Sequence, residues 1–240
     1  NAEIPQAPLA MAAALSLTSV LTGQRVQTET GLRSNLYCVG IARSGAGKEW
    51  PRSAIERMLQ DAGLAGDVLG GEQWASDSGI VAEMEDKPCI LYMIDEFGKY
   101  LTGLMGSNSQ NHQSGIITLL MSLFEKPNKE FRWKQYADKK RKAMSIDNPH
   151  LCLMATTVAD NFWPAMSKEQ VVDGYLNRFL IFETKIIRKK DTYDYRRPVP
   201  EDIIEDIKAL WGMPKFVDPD KSTKNPEIDL RELGIEPLVI

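Results

Sequence analysis

Apolar residues along this chain of 240 fall into two kinds of pattern. Short apolar runs at 35–41, 88–94, 151–157 and 178–183 read as strands of a mostly parallel sheet, with 88–94 buried on both faces. Between them, apolar positions recur at helical spacing. Ile55, Met58, Leu59 and Ala62 follow Pro51, which suits a first helical turn, and Ile116, Ile117, Leu120 and Leu123 mark a helix over 114–124. Residues 7–22 predict a helix with Pro8 near its start and Gly23 closing it. Ser76, Asp77 and Ser78 offer capping oxygens for a helix over 77–85. Further helices are expected over 97–104, 158–173 and 201–211, and a loop over 103–113. Residues 129–146 differ in kind, alternating aromatic and charged side chains around a basic turn, the pattern of a β-hairpin.

Strands alternating with helices predict an α/β fold: a mostly parallel central sheet flanked by helices, with an inserted basic β-hairpin. The expected organisation is a helical entry segment over 1–34, a core over 35–212, and a linker over 213–240 leading into a further element. The chain reads as a piece excised from something longer, without a signal peptide.

Composition narrows the class. Hydrophobic residues make up 43% and charged residues 26%, which excludes a disordered chain. Three cysteines, each in an apolar run, argue for buried thiols rather than a disulfide framework and suit a cytoplasmic setting. The longest mostly apolar stretch, 7–21, is shorter than the roughly 20 residues a bilayer needs, so no membrane partner is expected. The net charge of −4 means that any nucleic-acid contact must come from a local patch. Residues 129–142 supply one, with seven basic side chains against two acidic ones. Arg132, Lys134, Lys139, Lys140, Arg141 and Lys142 are the candidates for phosphates, and Phe131, Trp133 and Tyr136 for base stacking. A solvated hairpin with its aromatics packed underneath fits the same pattern. His112 and His150 stand apart from any Cys or Asp cluster, so no zinc site is expected.

The sharpest chemical feature is Ser44-Gly45-Ala46-Gly47-Lys48-Glu49, between an expected strand and an expected helix. Such a turn aims successive backbone N–H groups into one concavity, and the helix amino end adds partial positive charge. Lys48 can reach the β/γ-phosphates of a nucleotide. Ala42 stands where the phosphate-loop pattern has its first glycine, and Glu49 where it has a Ser or Thr for Mg²⁺; the Glu49 carboxylate is itself a candidate metal ligand, directly or through water. An ordinary strand–helix turn is the competing reading. The run 90–94 ends in Asp95-Glu96, suited to holding Mg²⁺ through water and to polarising an attacking water as general base. Both loops are expected at the carboxyl edge of adjacent strands. Thr156 and Thr157, ending the third run, are candidates for a γ-phosphate or water contact. Arg178, opening the fourth, is a candidate arginine finger in its own subunit or a neighbour's.

Three stretches carry a family resemblance: Pro8 to Leu15 with Thr22-Gly23-Gln24-Arg25 and Asn35-Leu36-Tyr37; Ser44 to Lys48 with Ser76 to Gly79 and Met93 to Gly98; and Asn148 to Thr157 with Asp173 to Ile181. Together, over about 8–184, they resemble a P-loop ATPase family of phage, prophage and plasmid replication proteins, long filed as a domain of unknown function. The resemblance implies a RecA/AAA+-like P-loop NTPase core using ATP and Mg²⁺. It further implies a helicase-like homo-oligomeric ring acting on single-stranded or forked DNA, often with a primase domain in the same chain. Lys48 would hold phosphate, Asp95 the metal, Glu96 would act as base and Arg178 as a finger. A packaging, transposition or loader ATPase, and a nucleotide-binding assembly module without hydrolysis, are the alternatives.

Overall fold

The computed structural model describes residues 4–105, 111–134, 144–166, 174–185 and 197–215. In chain order its elements are α1 (Ala7–Thr22), β1 (Tyr37–Ala42), α2 (Trp50–Asp61), α3 (Ala65–Val68), α4 (Asp77–Asp86), β2 (Cys89–Ile94), α5 (Phe97–Met105), α6 (Asn111–Phe124), β3 (Glu130–Arg132), β4 (Ser145–Asp147), β5 (His150–Thr157), α7 (Ala159–Ala165), β6 (Phe179–Thr184) and α8 (Glu201–Gly212). The architecture is α/β.

The four apolar runs form one sheet in the order β2–β5–β1–β6, with every neighbouring pair parallel. Because side chains alternate across a strand, each run feeds two cores. Tyr37, Val39, Ile41, Tyr92 and Leu153 face α4, α5, α6, α7 and the hairpin β3–β4. Cys38, Cys89, Leu91, Cys152 and Met154 face α1, α2, α3 and α8. The three thiols are free, buried and on one face.

The two helical layers seat closely for identifiable reasons. A Cβ at Gly40 of β1 would lie 2.8 Å from Cδ2 of Leu9, so a glycine lets α1 press against the strand that leads into the phosphate-loop candidate. Gly23, which closes α1, has φ −57°, so its need is space rather than a left-handed turn: a Cβ there would meet the His150 ring at 2.4 Å. On the opposite face a Cβ at Gly98 would strike the backbone of Asn161 at 2.6 Å, so this glycine sets how closely α5 approaches α7.

Several sequence expectations are revised. β5 lies between β1 and β2, so the strands carrying the glycine-rich loop and the acidic pair are not adjacent. Strand order is fixed by crossover connections that leave no mark in local periodicity. The loop expected over 103–113 is shorter, because α5 runs to Met105 and α6 starts at Asn111. The helix expected over 158–173 is Ala159–Ala165, with residues 167–173 outside those described. Residues 216–240, most of the expected linker, also lie outside. Among the described residues no helix is long and apolar enough to cross a membrane.

Candidate functional site

At the carboxyl edge of the sheet, β1 ends in Ala42 and the chain turns through Ser44–Glu49 into α2. Gly45 and Gly47 have φ +72° and +78°, the left-handed conformation that side chains resist. Ala46 is buried, and its carbonyl accepts a hydrogen bond of 3.2 Å from the Gln6 side chain. The Gln6 amide oxygen in turn accepts from the Thr184 hydroxyl at 2.9 Å. The crest is therefore tied to the segment before α1 and to the end of β6. A Cβ at Gly45 would meet nothing within 4 Å, leaving open space in front of the loop.

The acidic pair leaves β2 at the same edge. Ile94 pairs with Ala155, which places Asp95 beside Thr156. The buried Thr156 hydroxyl donates to Asp95 Oδ1 at 2.8 Å, and the Glu96 backbone N–H donates to the same oxygen at 2.9 Å. Arg52 Nη2 lies 2.9 Å from Asp95 Oδ2. Burial pushes the Asp95 carboxyl up, but the Thr156 hydroxyl, the Glu96 N–H, Arg52 and Lys48 outweigh it and hold it below the ordinary value.

Glu96 connects the two halves of the site. Its Oε1 receives Lys48 Nζ at 2.7 Å, and Lys99 stands 3.2 Å from its Oε2. The Lys48 hydrogen bond is the main reason its carboxyl stays below the usual range, with Lys99 adding to it against a smaller opposing effect of burial. Glu96 has φ +50°, a left-handed backbone at a residue that is neither Gly, Asn nor Asp.

The structure thus gathers Lys48, Asp95, Glu96 and Thr156 into one connected group. Thr157, also buried, acts elsewhere. Its hydroxyl accepts from the Gly98 N–H at 3.1 Å and fixes the amino end of α5. Glu49 is exposed at the N-cap of α2, and its side chain makes no capping hydrogen bond. The donor set suits a hard cation, which takes oxygen ligands and usually needs only one or two carboxylates alongside phosphate and water. Asp95 is the residue that would hold it. Among the described residues no cluster of three or more His, Cys, Asp or Glu forms a metal cage.

Arg178 is placed elsewhere. Its neighbour Phe179 pairs with Tyr37, the first residue of β1, so Arg178 sits at the amino edge of a parallel sheet. The length of β1, about 17 Å, separates that edge from the glycine-rich loop. Reach to the loop of its own subunit is excluded, which corrects that half of the expectation. Arg178 instead pairs with Glu125 and donates to the Gly174 carbonyl at 2.6 Å.

The hairpin expectation also changes. β3 and β4 pair antiparallel over three residues. Phe131 and Trp133 are buried in the main core rather than presented for stacking. Arg132 pairs with Glu130, and Lys134 with the buried Asp77 at 2.6 Å. Lys139, Lys140, Arg141, Lys142 and Tyr136 lie outside the described residues.

Sequence reading missed two features. One is Arg52, four residues beyond Lys48. Its signal was available, since a residue in the first turn of a helix covers the chain just before it. The other is a cavity of about 730 Å³ beside the loop, between α1, α2 and the run 197–203. Ile4, Ala10, Gly47, Trp50, Pro51 and Val199 are among its walls, which are mainly apolar. It joins segments nearly 200 positions apart, so no local pattern announces it. No protein-family model matches the chain, and no curated protein shows significant sequence similarity to it.

Proposed function

We propose that this chain is a P-loop ATPase domain that binds ATP with Mg²⁺ and hydrolyses it. One observation carries the reading: the Lys48–Glu96 contact of 2.7 Å, which joins the glycine-rich loop to the acidic pair across an intervening strand. A lysine on such a loop, an aspartate for a metal and a glutamate for a water are the parts phosphoryl transfer to water requires. The cavity beside Gly47 and Trp50 has the apolar walls and the size a nucleobase and ribose need. Bound Mg²⁺ would neutralise charge on the transferred phosphoryl group. Among this chain's residues, backbone N–H groups of the 44–48 loop other than that of Ala46, which donates to the Arg43 carbonyl, cradle phosphate; Lys48 leaves Glu96 to meet it, and Glu96 then orients water and takes its proton. Thr156 keeps Asp95 in place throughout.

The wider assignment, a helicase-like motor of mobile-element DNA replication working as a ring, rests on the resemblance of the three sequence stretches. Arg178, far from its own loop, fits that assignment only as a group offered to a neighbouring subunit. The deciding experiment measures phosphate release from ATP with Mg²⁺, with and without single-stranded DNA, for wild type and Lys48→Ala. Turnover lost in the variant supports the reading; equal rates in both sink it. Strand displacement on forked DNA then separates a helicase from a packaging, transposition or loader ATPase.

A second reading has an observation in its favour. Arg52 on Asp95 and an exposed Glu49 favour the reading in which the site holds nucleotide without hydrolysing it. Tight ATP binding with no phosphate release over hours selects that assembly role.

A further inference from the structure

Arg52 is a cation at the site that the general scheme of phosphate binding does not use. It sits in the first turn of α2, with its side chain about four-fifths buried and its Nη2 2.9 Å from Asp95 Oδ2. Its Nε is buried with no hydrogen-bond partner among the described residues, so the guanidinium is committed to the carboxylate by one end only. The other Asp95 oxygen already accepts from Thr156 and from the Glu96 N–H. Both oxygens of the aspartate that would hold a divalent ion are thus engaged by the protein. Glu49, where a hydroxyl would add a further ligand, is turned to solvent.

We propose that Arg52 is an internal counter-ion that competes with a divalent metal for Asp95, so that the site accepts the metal only when the guanidinium swings away. The proposal rests on the reading that the 44–49 loop holds nucleotide. A guanidinium does not lose its charge at any ordinary pH, so it yields only by moving. Its single-ended attachment makes that movement possible without breaking a two-point fork. Arg52 is therefore a positioning residue: it keeps Asp95 neutralised and in place before metal binds and sets how much metal is needed to load the site.

The test titrates Mn²⁺ by electron paramagnetic resonance into protein saturated with ADP, comparing wild type, Arg52→Gln and Arg52→Lys. Removing a partly exposed competing cation is expected to tighten Mn²⁺ binding roughly two- to fivefold in Arg52→Gln. Arg52→Lys, which keeps a cation on the same turn, stays near wild type. In an Asp95→Asn background the Arg52→Gln effect disappears, as a double-mutant cycle requires of a direct competition. Thermal melts check folding, and Arg52→Met, which keeps the aliphatic stem, makes the same comparison should Arg52→Gln fold poorly. Mn²⁺ affinity unchanged or weakened on losing the guanidinium overturns the proposal. A fluorescent ADP analogue in EDTA separates the two layers. Nucleotide bound but Mn²⁺ curves superposed removes only the Arg52 inference, whereas no nucleotide bound by wild type removes the phosphate-loop reading and this inference with it.

Discussion

Gly45 and Gly63 make a matched pair for testing the loop. Their φ values are +72° and +73°, and at neither does an added Cβ meet any atom within 4 Å. Alanine at either position therefore carries the same penalty for left-handed backbone, about 1–2 kcal/mol, partly offset by the reduced freedom of the unfolded chain. A net cost near 1 kcal/mol corresponds to a fall in Tm of about 2–4 °C in a domain of this size. The difference lies in what the open space is for. Gly63 follows the end of α2, whereas the space at Gly45 faces the proposed phosphate position. Nucleotide at a hundred times its Kd contributes about 2.7 kcal/mol, a rise in Tm of roughly 5–11 °C. Differential scanning fluorimetry with and without Mg-ADP should show Gly45→Ala and Gly63→Ala melting equally early when empty. Gly63→Ala should keep the full ligand-induced rise and Gly45→Ala should lose it. A rise in Gly45→Ala equal to that of wild type would refute the cradle.

Other consequences can be tested in the same preparations. Glu96→Gln should lower phosphate release by about 10²–10⁴-fold while nucleotide affinity stays within a few fold, read by a phosphate assay beside a binding titration. Burial pushes the His150 imidazole down to about 4, from an ordinary value of 6.5. The unfolded chain then takes up a proton below pH 6.5 while the folded chain stays neutral until about pH 4. Unfolding free energy should fall by about 1.4 kcal/mol per pH unit across that window. Urea melts should show His150→Gln losing this component of the slope. Gly98→Ala should force α5 and α7 apart and cost about 1–3 kcal/mol, seen as a lower urea midpoint, with the Thr157 bond to the residue 98 N–H weakened.

The sheet and its two helical layers were legible because burial on both faces leaves no polar position in a strand, as in Cys89–Ile94 and most of His150–Thr157. Gly45, Gly47 and Lys48 stood out because few other turns combine those residues between a strand and a helix. What stayed hidden depends on partners distant in sequence. Nothing local to Asp95 tells that Arg52 holds it, and nothing in 88–94 tells that β5 intervenes before β1. The aromatics of the hairpin could have faced a base or the core, and Phe131 and Trp133 are buried in the main core. The position of Arg178 relative to its own loop depends on strand direction alone. A residue that opens a strand stands at the opposite end from one that follows it.

The Gln6 side chain spans from the Ala46 carbonyl to the Thr184 hydroxyl, and so acts as a strut between the crest of the loop and the point where the last strand lets go of the sheet. Any shift of that crest must either stretch this strut or drag along both the root of the first helix and the stretch of chain leaving residue 184. The crest of the loop is thereby coupled to the start of the first helix and to the point where the last strand leaves the central layer.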